Sequence, residues 1–474
     1  MGYPVIKGTT MEDYDDNGPM CTAVLRRDLP ALIHAMNQTR IFDYEVFLLS
    51  IPWVEGLRLM LSVGSDLPFK SQIALLKTAI LWKELEAVRA FLEAGFMVTQ
   101  SVWNNTCYHL EKIGEDESGE LFSAMIHNVN AARNLRDMSL AEQDARVGHV
   151  CGEFFPYESW RLCKIAAQCA WDGGYCDIDS PSFENPDHGT PIWKRALEAY
   201  RSETNESYDL GLDILKWLYE HGARLNWTHP KYLTTPAHLI GRGIASSIWS
   251  ENQSTHEPDL EAFLRSVLLS EFPDSCTCTC SEAGCHILTC AVTTSMEWGR
   301  FPRSNRLFQQ HLVEQMVELV DSERHDYPWL VPAMLRCLTF EELGLTHTCC
   351  VHMPWSLYEL SSYSPPTSED IKSIRYSESK DIALLETLLD GFTKSWGTYS
   401  GTLRQFIDDI WTSTINKELT KAKEAKEESL HALGELGVVL EEQAGHEEQL
   451  DPDSDDEGRI LNSRSVIELL AFRA

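Results

Sequence analysis

Basic side chains are scarce in this chain of 474 residues: 40 Lys and Arg stand against 72 Asp and Glu, a formal net charge of −32. That deficit removes the usual footing for nucleic acid or an anionic membrane surface, both of which need a cationic excess. No apolar run approaches the ~20 residues a membrane helix needs. The first sixteen residues hold several acids and no apolar stretch, so no secretory leader is expected. Residue 6 is Ile where a myristoylation signal would place Ser or Thr. An intracellular protein, cytoplasmic or nuclear, is the expectation. The Gly-x-x-x-x-Gly-Lys and Gly-x-Gly-x-x-Gly phosphate loops, the Gly-x-Ser-x-Gly elbow and the His-Glu-x-x-His helix are all missing. The sequence therefore nominates no catalytic or cofactor-binding residue, and the expectation is a protein that is not an enzyme. The 14 cysteines include no Cys-x2-Cys knuckle, and a disulfide framework is disfavoured in a reducing compartment.

What is present is enough apolar matter for a core: 43% hydrophobic residues, with 14 Trp among them. The best-defined stretch is residues 212–242. Leu212, Leu215 and Leu218 share a helical face that Ile214 and Trp217 widen. Gly222 follows as a stop, because glycine enters the left-handed region without a Cβ penalty. Thr235-Pro236-Ala237-His238 then opens another helix, with Thr able to cap and Pro suited to the first turn. This stretch resembles the second helix of one ankyrin repeat joined to the first of the next. The resemblance implies a structural role for His238, bracing neighbouring turns, and the same for His109.

Other stretches extend the pattern. Gly64 and Gly95 both end helical segments and lie 31 residues apart, near the ~33-residue ankyrin period. Thr106-Cys107-Tyr108-His109, eleven residues past Gly95, reads as a worn Thr-Pro-Leu-His turn. Polar insertions are expected at 201–209 and 250–258. Residues 361–380 are Ser- and Pro-rich and read as a loop. Residues 417–440 read as a charged helix with i,i+4 pairs. Residues 441–457 carry nine acids and no Lys or Arg, so they read as disordered.

The most distinctive segment is 274–291, DSCTCTCSEAGCHILTCA. Cys276, Cys278 and Cys280 alternate, so an extended strand would point all three the same way. Residues 284–291 align with the Gly-x-Thr-Pro-Leu-His-x-Ala template, placing the cysteines on a turn between repeats. Together with His347-Thr348-Cys349-Cys350, this is similar to a group of fungal proteins with degenerate ankyrin repeats. Thiolate and imidazole are natural zinc ligands. Cys280, Cys285, His347 and Cys349 are the first candidates for a structural zinc site. Packed apolar thiols compete with that reading and rank ahead of it on sequence; redox pairs rank third.

The expected architecture is all-α: an ankyrin-like helical solenoid with degenerate repeats, C-terminal helices and an acidic tail. Its parts are a lead-in (1–20), the repeat array (21–275), a Cys-rich region continuing it (276–360), a helical region (361–440), and a tail with a short terminal helix (441–474). The function this implies is non-covalent protein binding on the concave and turn surface, the alternative being a zinc-stabilised regulatory module of a larger assembly. Most Trp residues should pack in the core, while Trp103 and Trp227, at turn positions, are the candidates to face a partner. The acidic surface predicts a basic protein partner.

Overall fold

The computed structural model describes residues 18–38, 42–64, 67–110, 115–139, 154–159, 162–180, 189–201, 205–244, 258–281, 284–298, 306–349 and 366–435. Among these every regular element is helical and there is no strand. The acidic tail and most of the lead-in lie outside the described residues, as do Cys350 and His352. No described helix is long and apolar enough to cross a membrane. The chain divides into two compact units, one comprising Met1–Arg195 with Asp213–Ala223, the other Ala196–Leu212 with Arg224–Ala474.

The first unit opens with short helices in pairs: α1 (Gly18–Arg26) and α2 (Leu29–Gln38), α3 (Tyr44–Ser50) and α4 (Val54–Ser62), α5 (Phe69–Leu81) and α6 (Leu85–Glu93). Next come α7 (Gln100–Leu110), α8 (Glu115–Ser139) and α9 (Lys164–Asp172). All but α8 are too short to be stable alone, so their apolar faces must be buried by neighbours. They meet that need in two files. α1 packs on α3, α3 on α5 and α5 on α7, while α2 packs on α4, α4 on α6 and α6 on α8. Leu32, Phe47, Leu57, Leu76, Ile80 and Phe91 fill the space between, all fully buried. Gly64 and Gly95 sit at positive φ immediately after α4 and α6, as stops should.

The sequence placed a turn at Thr106–His109, and here the structure corrects it. Thr106 lies inside α7, where its hydroxyl donates to the Val102 carbonyl at 2.8 Å. The residue before α7 that accepts a helix N–H is Thr99, whose hydroxyl takes Val102 N at 3.4 Å. The eleven-residue spacing from Gly95 to Thr106 therefore does not mark a turn.

α10 (Pro191–Arg201) and α11 (Asn205–Glu220) each contribute to both units. The second unit continues with α12 (Pro236–Gly243), α13 (Pro258–Leu268), α14 (Ile287–Trp298), α15 (Arg306–Glu323) and α16 (Leu330–Glu342). Beyond these lie α17 (Ser368–Ser377), α18 (Ser379–Trp396), α19 (Leu403–Phe406) and α20 (Thr412–Glu435), with a π turn at Ile407–Trp411 between the last two. α12, α14, α16 and α18 form one file, each packed on the next, and α15 packs on α14, α16 and α19. The predicted loop at 361–380 contains α17, started by a capping box in which Thr367 and Asp370 serve each other's backbone N–H.

Thr235 caps α12 as its sequence suggests. Its hydroxyl accepts His238 N at 3.3 Å and meets His238 Nδ1 at 2.7 Å. The far ring nitrogen, Nε2, donates to the Cys285 carbonyl at 2.7 Å, tying the start of α12 to the loop before α14. That loop also ends where the template puts it, with α14 beginning at Ile287. Thr235→Ala is expected to cost about 1–2 kcal/mol through the lost cap. Chemical unfolding monitored by circular dichroism checks this; an unchanged midpoint would contradict the capping role.

Candidate metal centre

The Cys-rich loop runs from the end of α13 to the start of α14, and it folds around one carboxylate. Asp274 Oδ1 accepts the backbone N–H of Cys276 at 3.0 Å and of Cys285 at 2.8 Å. Asp274 N in turn donates to the Cys285 carbonyl at 3.0 Å. Gly284 makes this closure possible. A Cβ there would stand 2.1 Å from the Asp274 carbonyl oxygen, and its φ is +106°. Among its described residues the run holds no strand, only bends at Ser275, Ser281 and Gly284 and a turn at Thr279–Cys280.

Opposite the loop, α16 ends at Glu342 and the chain turns at Gly344, at positive φ, and runs on through Leu345 to Cys349. Cys278, Cys280, His347 and Cys349 are thereby gathered, all buried, with one donor atom from each lying within 4.8 Å of all the others. This cluster could bind a metal ion. Its edges decide how well. Tetrahedral zinc, with Zn–S near ~2.3 Å and Zn–N near ~2.0 Å, requires S···S of about 3.8 Å and S···N of about 3.5 Å. The observed separations are 3.9 Å for Cys280–Cys349, 3.8 Å for Cys278 Sγ to His347 Nδ1, and 3.5 Å for Cys349 Sγ to His347 Nδ1.

The surroundings suit a bound cation as well. His347 Nε2 pairs with Glu341 Oε1 at 2.6 Å, which points Nδ1 at the sulfurs. A carboxylate behind a ligating imidazole fixes its tautomer and raises its basicity. The Thr348 N–H donates to Cys278 Sγ at 3.3 Å, a bond that favours thiolate. Phe340, Leu345 and Leu385 pack with the cysteines in one buried apolar cluster.

Electrostatics separate these thiols from ordinary packed ones. Burial, the largest cause, pushes Cys107, inside the first unit, up to about 12, so it stays a neutral group. In the cluster, hydrogen bonds from Cys285 and Cys349 bring Cys276 down to about 3, and bonds from Cys280 and Cys349 lower Cys278. Their neighbours are driven the other way: Cys276 and Cys280 raise Cys285, and Cys276 and Cys278 raise Cys349. Burial, the largest single influence, opposes charge on His347, but Glu341 and the hydrogen bonds to Cys278 and Cys280 together hold the imidazole above its ordinary value. Some thiols ionise only at the expense of others. A divalent cation removes that competition, since every ligand can then give up its proton.

Of the four candidates named from sequence, Cys280, His347 and Cys349 belong to this set. Cys285 does not; its Sγ lies 3.2 Å from Cys276 and 3.2 Å from Cys280, beside the set. Cys278 takes the place assigned to it. The Asp274 clamp on the Cys285 backbone is what turns that side chain toward Cys276, and only folding reveals it. Trp103 is corrected outright as a partner-facing residue. It is fully buried, edge-on to Phe122 and Phe154, and its indole N–H donates to the Pro156 carbonyl at 2.9 Å. Trp227 is half-buried in the loop before α12, with its ring edge-on to His229.

Glu341→Gln is expected to weaken metal affinity about 10- to 100-fold while leaving the donor set intact. Competition with a graded series of chelators reads this directly; an unshifted affinity would remove Glu341 from the centre. In comparisons with family models, curated proteins and solved structures, the chain matches none.

Proposed function

We propose that this chain is a non-enzymatic protein-binding scaffold of the ankyrin type, whose second unit is closed by a structural zinc ion. One observation carries the reading. Cys278, Cys280, His347 and Cys349 supply four buried donors. A catalytic zinc keeps a position open for water or substrate, whereas a structural one is closed by four protein ligands. The donor set is therefore of the structural kind. Its softness, three sulfurs and one imidazole, favours zinc over magnesium or calcium.

The scaffold half of the proposal draws support from the helix files and from the His238 link between successive turns, which is the role the ankyrin resemblance implies for that residue. The partner is expected to be basic and protein, met by an acidic surface with Trp227 among its contacts. The decisive experiment is metal counting on the full chain, purified under reducing conditions without added metal, combined with thermal unfolding before and after chelation. Absence of zinc, with unfolding indifferent to chelator, would overturn the metal half. Capture of a basic partner that weakens as salt rises supports the charge-steered scaffold; binding insensitive to salt contradicts it.

A further inference from the structure

Two sulfurs beside the four-donor set belong to no part of it. Cys276 and Cys285 stand nine positions apart on the Cys-rich loop, with their Sγ atoms 3.2 Å from one another. The backbone holds them there. Asp274 Oδ1 accepts the N–H of Cys276 at 3.0 Å and of Cys285 at 2.8 Å, so both residues are pinned to one atom. Their surroundings differ. Cys285 is buried, whereas Cys276 is partly exposed and lines a surface cavity of about 770 Å³, open enough for a small oxidant. Arg336 and Arg375 share the wall of that cavity, and Arg375 donates to the carbonyl of Thr277, next to Cys276. Reactive thiols are those at partly exposed, electropositive positions; enclosed ones are inert.

We propose that Cys276 and Cys285 form a modification site, a dithiol that hydrogen peroxide converts to a disulfide while the neighbouring metal set stays intact. Cys276, as thiolate, attacks one peroxide oxygen. The O–O bond breaks, the sulfur gains an S–OH group, and hydroxide departs as water with the proton Cys276 gave up. Cys285, as thiolate, then attacks that sulfur. The S–S bond forms, the S–O bond breaks, and hydroxide departs as a second water with the proton from Cys285. The two thiols lose two electrons and one peroxide receives them.

Asp274, Cys276 and Cys285 also gather three donor atoms within 4.8 Å, so a second cation is the competing occupant. Geometry favours the disulfide. The two sulfurs are already nearer than the ~3.8 Å edge of a tetrahedral metal site, and a cation would have to drive them apart. A bond at ~2.05 Å draws them together by about 1 Å, within reach of side-chain rotation. Asp274 Oδ1, moreover, is engaged by the two backbone N–H groups. Cys285 lies equally near Cys280, at 3.2 Å. The choice of Cys276 over Cys280 rests on the zinc reading above, in which the Cys280 sulfur is held by the metal, and on Cys280 being buried.

Full-length chain, purified reduced, is treated with hydrogen peroxide; zinc is counted by native mass spectrometry, and the chain is then unfolded in alkylating agent and mapped. Cleavage after Glu282 separates the two cysteines, so a bond between them joins two fragments, and fragmentation places it. The expected result is one Cys276–Cys285 bond, an unchanged zinc count, and reversal by dithiothreitol. In Cys285→Ser, dimedone is expected to capture the S–OH group on Cys276; in Cys276→Ser, Cys285 stays alkylatable after peroxide. Because either serine variant could destabilise the loop, the wild-type map decides alone. A Cys280–Cys285 bond, zinc lost as the bond forms, or both thiols alkylated after peroxide overturns the site. A second ion per chain that shields the pair from peroxide overturns it in favour of the cation. A chain without zinc that still forms the Cys276–Cys285 bond overturns the zinc reading and upholds the pair; neither zinc nor bond overturns both.

Discussion

Cys349→Ser should release bound metal and lower the unfolding midpoint of the second unit by roughly 8–16 °C. The size follows from what the centre joins. Cys280 and Cys349 are 69 positions apart. A cross-link closing a loop of that length restricts the unfolded chain by about 4 kcal/mol. Each kcal/mol moves the midpoint of a domain this size by roughly 2–4 °C. The true loss can exceed this, since metal–ligand bonding in small zinc domains amounts to ~10 kcal/mol or more. Differential scanning calorimetry with and without chelator provides the measurement. Cys107→Ser is the control: its thiol is buried in the first unit, so its metal content should match the wild type. If Cys349→Ser and the parent melt together, and neither responds to chelator, the centre has no structural role.

Trp103→Ala is expected to destabilise the first unit by about 3–5 kcal/mol, the range for removing a large buried aromatic. Its ring contacts Phe122 and Phe154, and its N–H satisfies the Pro156 carbonyl. Two kinds of contact are lost together, the second leaving a buried acceptor without its donor. Trp103→Phe separates them, keeping ring packing while deleting the hydrogen bond, and should fall between. Trp227→Ala provides the contrast. Its half-exposed ring predicts a stability change within ~1 kcal/mol, with the loss appearing in partner capture instead. Urea unfolding of the three variants decides the matter. A Trp103→Ala chain as stable as its parent would mean the indole is not the core residue described here.

These two tryptophans also show what a sequence can convey. Both occupy similar positions in the repeat pattern, between a Gly stop and the next helix, so pattern alone treats them alike. Burial depends on what arrives from elsewhere, and residues 154–157 arrive over Trp103 from more than fifty positions away. Local chemistry was readable where one residue suffices. Thr235 caps because its own hydroxyl reaches His238 N, and Gly222 ends α11 because its own backbone can turn. The α14 start at Ile287 was readable too, through its match to the Pro236 position. The capping box at Thr367 was equally visible in the letters Thr-x-x-Asp, but the Ser- and Pro-rich composition around it argued for a loop. The metal centre lies between these cases. Its loop and its distant His-x-Cys pair stand out in the sequence, yet the choice of Cys278 over Cys285 is made by the Asp274 clamp. Spacing carries no trace of that carboxylate's two hydrogen bonds.

The separation between the Cys-rich loop and its partner pair has a further consequence, at the ribosome. The loop's thiols emerge complete at Cys285, while His347 and Cys349 follow only after α14, α15 and α16 have been made. At ~5–20 residues per second the interval is about 3–13 seconds. During it, four closely spaced thiols have neither their imidazole nor their last sulfur. A chain paused within α15 would be the most exposed to adventitious metals and oxidants, and slow translation there would lower the yield of correctly loaded protein.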